Sequence, residues 1–448
     1  MRTLIVGHGG REGALAARMA EHSELHALCG HENPSIAAAA ARSGGSVSLG
    51  DVCDPAAVTR CARAAQADIV MVSADEPLAA GVVDALHAAE IAAVGPTRAG
   101  AEIEWNKAFA RELLADVAPE ALPRLRVARD AAEVDAAIDE FGEDPIVVKP
   151  SGLTGGKGVK VMGPHLADHA AAREYAHSLL APGSGRSDSV LVEERIDGPE
   201  FTIQAISDGR TVVFPPSTYD YPYRYDGDEG PGTGGMGSLV LPGPTLPFMT
   251  ADHYREACDV IERVIGRLRE EGRHFSGVMN SGFFATADGI RVIEFNARFG
   301  DPECMNIMSL LDGSWPHAME CICARTLAAA DVPLRAQASV VLYLVSPDYA
   351  VRPGEPREFA LDLDAAARGG CEVFFSSAVA AGDGRFRTVG TSRAVALAAR
   401  GATLEDARAA VAAVAADVPE LEWRRDVGDM AYLQGLAGST PVAAPGPS

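Results

Sequence analysis

This chain has almost no lysine, no paired cysteines, no long apolar run and far too few basic residues to balance its acidic ones. No apolar stretch approaches the ~20 residues that a membrane span needs, which excludes a spanning helix and a membrane partner. The eight cysteines are scattered without a Cys-x-x-Cys pair, so neither a zinc ribbon nor a disulfide framework is indicated. A formal charge of −23 sets general nucleic-acid binding aside, because phosphate repulsion would oppose it. No signal-peptide pattern precedes the first strand-like run, Thr3-Leu4-Ile5-Val6, and a cytoplasmic location is the expectation. Lysine is the sharpest scarcity: 35 of the 39 basic residues are arginine, and the four lysines are Lys107, Lys149, Lys157 and Lys160. All four fall in one short stretch, and a compact ammonium suits polyphosphate as a point charge.

What is present reads as α/β. With 448 residues, 47% of them hydrophobic and 23% charged, the chain has room for two to four ordinary globular domains. In the first hundred residues, strands at 3–6, 67–72 and 91–94 alternate with helices at 12–21 and 81–89, which implies a doubly wound parallel sheet. The loop Gly7-His8-Gly9-Gly10 lacks full GxGxxG spacing, so an anion or sugar at the following helix N-terminus is favoured over a dinucleotide. A long helix is expected over 101–114, a smaller α/β unit from about 122, and a surface loop at 182–188. A strand at 339–344 opens a C-terminal region that closes with a helix near 403–418. The Pro/Gly/Ser-rich end reads as a disordered tail.

Three segments carry chemistry. Ile146-Val147-Val148-Lys149 is a buried strand followed by the glycine-rich turn Gly152 to Gly158, which bears Thr154, Gly155, Gly156 and Lys157. Glycines let backbone N–H groups approach phosphate oxygens, and the two ammoniums offset phosphate charge. The absence of GxxxxGK[ST] spacing distinguishes it from a Walker A loop. Next, Val190-Leu191-Val192-Glu193-Glu194 delivers two acids from a strand, with Glu200 after the Gly198-Pro199 turn. Third, alternation in Ile293-Glu294-Phe295-Asn296-Ala297-Arg298 places Glu294, Asn296 and Arg298 on one strand face, opposite Ile293 and Phe295. Two oxygen donors and a guanidinium on a shared face suit Mg²⁺ that still holds phosphates and water. The flanking Ser281-Gly282-Phe283-Phe284 run and the Gly300 turn imply that this strand is internal.

Together these segments resemble the ATP-grasp superfamily and, within it, the phosphoribosylamine–glycine ligase family, from residue 2 to about Gly428. Supporting pieces are Gly9-Gly10-Arg11-Glu12, Gly81-Val82-Val83-Asp84, Gly95-Pro96-Thr97, Thr233-Gly234-Gly235-Met236-Gly237 and Arg424-Arg425-Asp426-Val427-Gly428. The resemblance implies a Rossmann-like (pre-ATP-grasp) domain at 1–103, an ATP-grasp region at 104–330 with a mobile lobe at about 122–192, and an α+β C-terminal domain at 331–432, leaving a tail at 433–448. It implies a ligase that uses ATP and Mg²⁺, with Mn²⁺ as a substitute, to phosphorylate a carboxylate that an amine then attacks. Lys107, Lys149, Gly155, Gly156 and Lys157 would meet the phosphates or base, with Glu193, Glu194 and Glu200 on adenosine and Glu294 and Asn296 on the metal. Arg298 and Lys157 would act at the reacting phosphoryl group. The substrates, a small amine and an amino acid, would meet Gly9, Gly10, Arg11, Glu12, Asp75, Asp220, Tyr221, Tyr223, Gly234, Gly235 and Asp301. The expected assembly is a monomer or small homo-oligomer.

Four positions depart from the family pattern. Gly13 stands for its His, Ser73-Ala74-Asp75 for Gly-Pro-Glu, Asp220-Tyr221-Pro222-Tyr223 for Asp-His-Lys-Arg, and Gly232 for an Asn. Two cations are lost there, although Arg224 could restore one, and Tyr219, Tyr221, Tyr223 and Tyr225 offer stacking faces. The expectation is therefore a paralogue acting on an amino-nucleoside or amino-sugar. The alternatives are a genuine phosphoribosylamine–glycine ligase and a catalytically silent nucleotide-binding regulator.

Overall fold

Short apolar runs bounded by glycine, proline and acidic residues build a five-stranded parallel sheet at the N-terminus. In the computed structural model, which describes residues 1–152, 158–181 and 188–437, these strands are β1 (Arg2–Val6), β2 (Glu24–Cys29), β3 (Val47–Leu49), β4 (Ile69–Val72) and β5 (Ala92–Val94). Their spatial order is β3-β2-β1-β4-β5, with Thr3 paired to Leu25 on one side and Ile69 on the other. Strands β2 and β3 add to the three expected from sequence. The crossovers leave in opposite directions between β1 and β4, and open α/β sheets bind ligands outside the carboxyl ends at that point.

The expected long helix is two helices, Arg98–Trp105 and Lys107–Val117. Asn106 breaks it: its side chain accepts from the Phe109 amide at 3.1 Å and caps the second helix, a role that suits Asn better than a helix interior. Beyond them a small lobe forms from β6 (Leu125–Ala128), β7 (Ile146–Pro150), β8 (Lys160–Val161) and β9 (Val190–Glu194), antiparallel in the order β6-β9-β7-β8. Helices Ala131–Phe141 and His169–Leu180 cover it, and it has a hydrophobic core of its own, including Val134, Ile138, Phe141, Val148 and Val192.

The rest is organised by one nine-stranded sheet. Its main path runs Gly289–Asn296, Gly277–Thr286, Glu200–Ser207, Thr218–Asp220, Gly237–Val240, Ala338–Leu344, Val395–Gly401 and Cys371–Phe375, and Val212–Val213 pairs with Glu200–Ser207. The hydrogen-bonded ladder thus crosses position 330/331 without interruption. Strand Gly289–Asn296 lies at the sheet edge, not inside as expected, and the helices at 98–117 pack against it. The predicted tail begins too early, because Met430–Ala437 is helical with Leu433 fully buried; residues 438–448 lie outside the described residues. No helix among the described residues is long and apolar enough to cross a membrane.

Candidate active site

A cleft of about 290 Å³ opens where the carboxyl ends of β1 and β4 meet the edge of the large sheet. Asp75, just past β4, lines it. The Gly7–Gly10 loop past β1 abuts it: a side-chain carbon on Gly9 would come 3.9 Å from Asp301 Oδ2. Glu294 and Asn296 reach it from the edge strand, and Lys107 from the second helix of the broken pair. Asn296 Nδ2 donates to Glu294 Oε1 at 3.3 Å, while Arg298 donates to Asn296 Oδ1 at 3.2 Å and pairs with Glu104 at 2.9 Å. The guanidinium is thereby held from both sides, but its buried Nε has no partner.

The edge strand departs from simple alternation. Gly282 pairs with Glu294 while Phe283 pairs with Val292, so Ile293 is bulged out of the ladder. Ile293 therefore lines the cleft beside Glu294, contrary to the expectation that it faces away. A bulge re-aims side chains at one point of a strand.

Behind the cleft lies a buried ion cluster. Glu193 accepts from Arg111 Nε at 2.7 Å and from its second nitrogen at 3.1 Å, and it meets Lys149 Nζ at 2.7 Å. Burial alone would raise this carboxyl, but Arg111 and Lys149 outweigh it and hold it at about 2. Glu193 therefore spends its carboxylate on holding Arg111 and Lys149. Glu194 points the other way and accepts from the Arg124 amide at 2.8 Å. Lys107 Nζ donates to the Gly152 carbonyl at 3.3 Å. Lys160 lies 4.0 Å from the centre of the Tyr175 ring. Gly155, Gly156 and Lys157 lie outside the described residues.

The far end of the cleft is knitted together by Asp301. Tyr343 donates to it at 2.6 Å, and Arg393 pairs with it at 3.2 Å and donates to its carbonyl at 2.8 Å. Burial raises the Asp301 carboxyl, but Arg393, Arg11 and Tyr343 outweigh this and leave it below its ordinary range. Arg393 also donates to the carbonyls of Gly234 and Gly235, tying the Thr233–Gly237 loop to Asp301. Gly235 has φ +100°, and a side-chain carbon there would strike Asp220 Oδ1 at 2.5 Å, so the loop needs glycine. Asp220 and Glu303 face the same space. Burial raises both carboxyls, reinforced at Asp220 by the charge of Glu303. Glu200 stands at the mouth, crowded by protein; that crowding raises its pKa, with Glu294 and Asp228 adding and Lys149 opposing.

Of the expected substrate residues, Asp75, Asp220, Gly234 and Asp301 line the cleft. Arg11 and Glu12 are buried against each other at 2.8 Å, and Arg11 also donates to the Phe299 carbonyl at 3.0 Å. Gly10 is closed over by Tyr343, whose hydroxyl would lie 2.5 Å from a side-chain carbon there. The tyrosine reading is corrected. Tyr221 is fully buried against Tyr219 and Tyr432, and its hydroxyl accepts from the Gly428 amide at 3.0 Å. It meets no ligand. Tyr223 sits on the short strand Tyr223–Tyr225, off the cleft wall. Arg224 restores no cation, being buried and paired with Glu422.

Five contributors escaped the sequence reading: Arg393, Tyr343, Glu303, Glu104 and Arg111. Glu104, Lys107 and Arg111 recur at helical spacing, a signal that was available. Arg393 and Tyr343 belong to no local motif.

Mg²⁺ and ATP fit these residues by donor chemistry. Among the described residues, seven carboxylates line the cleft (Asp75, Glu104, Glu200, Asp220, Glu294, Asp301 and Glu303) against two cations, Lys107 and Arg298. Burial is the first cause of the raised carboxyls of Glu200, Asp220 and Glu303, with neighbouring acids adding to it, and Asn280 Oδ1 is buried there without a partner. Hard oxygen donors with surplus negative charge call for a divalent cation, which in turn admits polyphosphate.

Comparison with known proteins gives a consistent result. A family profile described as the phosphoribosylglycinamide synthetase N domain matches residues 1–104, and its ATP-grasp (A) domain matches 105–304. The chain is 38% identical over 429 residues to the phosphoribosylamine–glycine ligase of Thermococcus kodakarensis, covering 96% of each. It is 37% identical over 440 residues to that of Methanosarcina acetivorans, covering 97% of this chain and 96% of the relative. Among solved structures, phosphoribosylamine–glycine ligase from Thermotoga maritima matches with a TM-score of 0.79 at 24% identity, over 95% of this chain and 100% of that one. The biotin carboxylase domain of Hydrogenobacter thermophilus 2-oxoglutarate carboxylase, solved with MgADP, matches with a TM-score of 0.68 at 14% identity, over 98% and 93%. The shared architecture is the ATP-grasp fold.

Proposed function

The chain belongs to the phosphoribosylamine–glycine ligase family of ATP-grasp carboxylate–amine ligases, and on that premise we propose that it joins glycine to 5-phosphoribosylamine in purine synthesis, in the cytoplasm. The observation that carries this reading is the convergence of Glu294, Asn296, Arg298, Asp301 and the Gly234 loop on one cleft. The relatives support the genuine synthetase over an altered amine, and burial of Tyr219 and Tyr221 removes two of the stacking faces on which the paralogue reading partly rested. The intact donor set leaves the silent-regulator reading without support.

In this reading Glu294 and Asn296, with Glu200 beside them, would hold Mg²⁺. The ion neutralises phosphate charge when bound. Lys149, fixed by Glu193, and Lys107 would meet the phosphates. Arg298, clamped by Glu104 and Asn296, would face the charge that develops as the glycine carboxylate takes the γ-phosphoryl group. Attack of the amine on the acyl phosphate then releases phosphate and requires loss of a proton. The Asp220–Glu303 pair, with raised carboxyls and an open cleft beside it, is placed to take that proton. Asp301, held by Arg393, Arg11 and Tyr343, stays ionised for the substrates.

The test is purified protein with ATP, Mg²⁺, glycine and freshly generated phosphoribosylamine. Glycinamide ribonucleotide should form with one ADP released per product. ADP release with uncharged amino-sugars but not with phosphoribosylamine would overturn the assignment.

A further inference from the structure

On the side of the molecule that carries helix Trp315–Ala324, three ligand-type side chains meet outside the cleft. His317 and Cys321 stand four residues apart, one turn along this helix, and Asp331 arrives from the short turn Ala329–Asp331. His317 Nε2 lies 3.2 Å from Asp331 Oδ1 and 3.6 Å from Cys321 Sγ. All three ligand atoms lie within 4.8 Å of one another. Tetrahedral Zn²⁺, with bonds of about 2.0 Å to nitrogen and oxygen and about 2.3 Å to sulfur, sets N···O at roughly 3.3 Å and S···N at roughly 3.5 Å. The side chains already stand at those separations.

The surroundings orient the trio. Asp331 Oδ2 accepts from the Ala328 amide at 2.8 Å, which leaves Oδ1 aimed at His317. Glu320 lies 3.9 Å from His317 Nδ1, the nitrogen facing away from the trio, where carboxylates commonly support metal-bound imidazole. Cys321 sits in the last turn of its helix, whose carbonyl end favours a cation. The opposite face of the helix, with Trp315, Ala318, Met319 and Ile322, is locked in the core. The Cys321 thiol also hydrogen-bonds with Asp331, so all three side chains face one another, and with Thr326 beside the helix end.

We propose that His317, Cys321 and Asp331 form a binding site for one Zn²⁺ ion, with a fourth position open to water and separate from the catalytic cleft. Binding replaces the Cys321 thiol proton, which passes to solvent. The ion ties the helix to the turn that leads into the C-terminal third, so its effect falls on stability rather than on chemistry.

The test uses the full chain, stripped with chelator under reducing conditions and then titrated with Co²⁺ and Zn²⁺. One Co²⁺ should bind per chain with thiolate-to-cobalt charge-transfer absorption, be displaced by Zn²⁺, and release one proton. Zn²⁺ should raise the melting temperature of the parent. Cys321→Ser should abolish the charge-transfer absorption, and Asp331→Asn should weaken Zn²⁺ at least tenfold. Both variants should retain the parent circular dichroism spectrum and rate of ADP release in Mg²⁺. Absence of charge transfer in the parent, its survival in Cys321→Ser, or unchanged Zn²⁺ affinity in Asp331→Asn would overturn the site.

Discussion

Replacing Glu193 by Gln removes one buried negative charge and leaves Arg111 and Lys149 facing a neutral amide. The carboxyl falls from an ordinary 4.5 to about 2 in the folded chain, which corresponds to about 3 kcal/mol of preference for its charged form. Because the group is only 2% exposed, little of this is lost to solvent screening. Glu193→Gln should therefore lower the unfolding free energy by about 3 kcal/mol, at the low end of the roughly 3–5 kcal/mol cost of breaking a buried ion pair. It should also raise the KM for ATP by about tenfold or more, a loss of roughly 1.4 kcal/mol, as Lys149 loses its anchor. The folded pKa lies below the unfolded one, so this stabilisation is complete above about pH 4.5 and fades as the pH falls toward about 2. Urea unfolding of parent and variant at stepped pH values reads the effect directly, and the two stabilities should converge in acid. An ADP-release assay reads the second. A variant with the parent urea midpoint at neutral pH and the parent KM for ATP would refute the reasoning.

The remaining expectations address the metal, the loop and the far end of the cleft. Glu294→Gln should shift the Mg²⁺ requirement of ADP release upward by at least about tenfold, and a titration curve identical to the parent's would show that Glu294 is not a ligand. Arg393→Met should cost on the order of 2–4 kcal/mol in kcat/KM, because Asp301 and three carbonyls lose their common donor. Arg393→Lys should fail to restore it, since one ammonium does not reproduce a planar fork; full rescue by lysine would argue for charge alone. Gly235→Ala meets both a positive φ and the Asp220 carboxylate, and should destabilise the chain by more than about 1 kcal/mol in urea, whereas Gly243→Ala, with nothing within 4 Å, should be close to neutral.

Glu294, Asp301 and Lys149 were legible because each lies on a strand or just past one, in a local pattern of its own. The parallel sheet was legible through its apolar runs, two of which, β1 and β5, end at glycine. Strands β2 and β3 were not, since Glu24 and His26 interrupt one and the other spans only Val47–Leu49. The four tyrosines misled because period two was read without a face. Asp220 and Pro222 line the cleft, so Tyr219 and Tyr221 point the other way, into the core. Arg393 could not be found from sequence: its partners at 234, 235 and 301 are distant in the chain, and nothing beside it marks an anion site. The bulge at Ile293 is likewise a property of strand pairing, invisible in one strand read alone.

The strand Ala338–Leu344 bears on how this protein can be divided. All seven of its residues are buried, and it pairs with Gly237–Val240 on one side and Val395–Gly401 on the other. A gene cut at position 330 would give each half an open sheet edge lined with unpaired amides and apolar side chains, the usual template for aggregation. The two pieces would be obligate companions rather than modules, able to fold only by completing one another. Fusion partners and circular permutations therefore belong in the surface connections of the small lobe, which keeps a core of its own, and not at the apparent seam between catalytic and C-terminal regions.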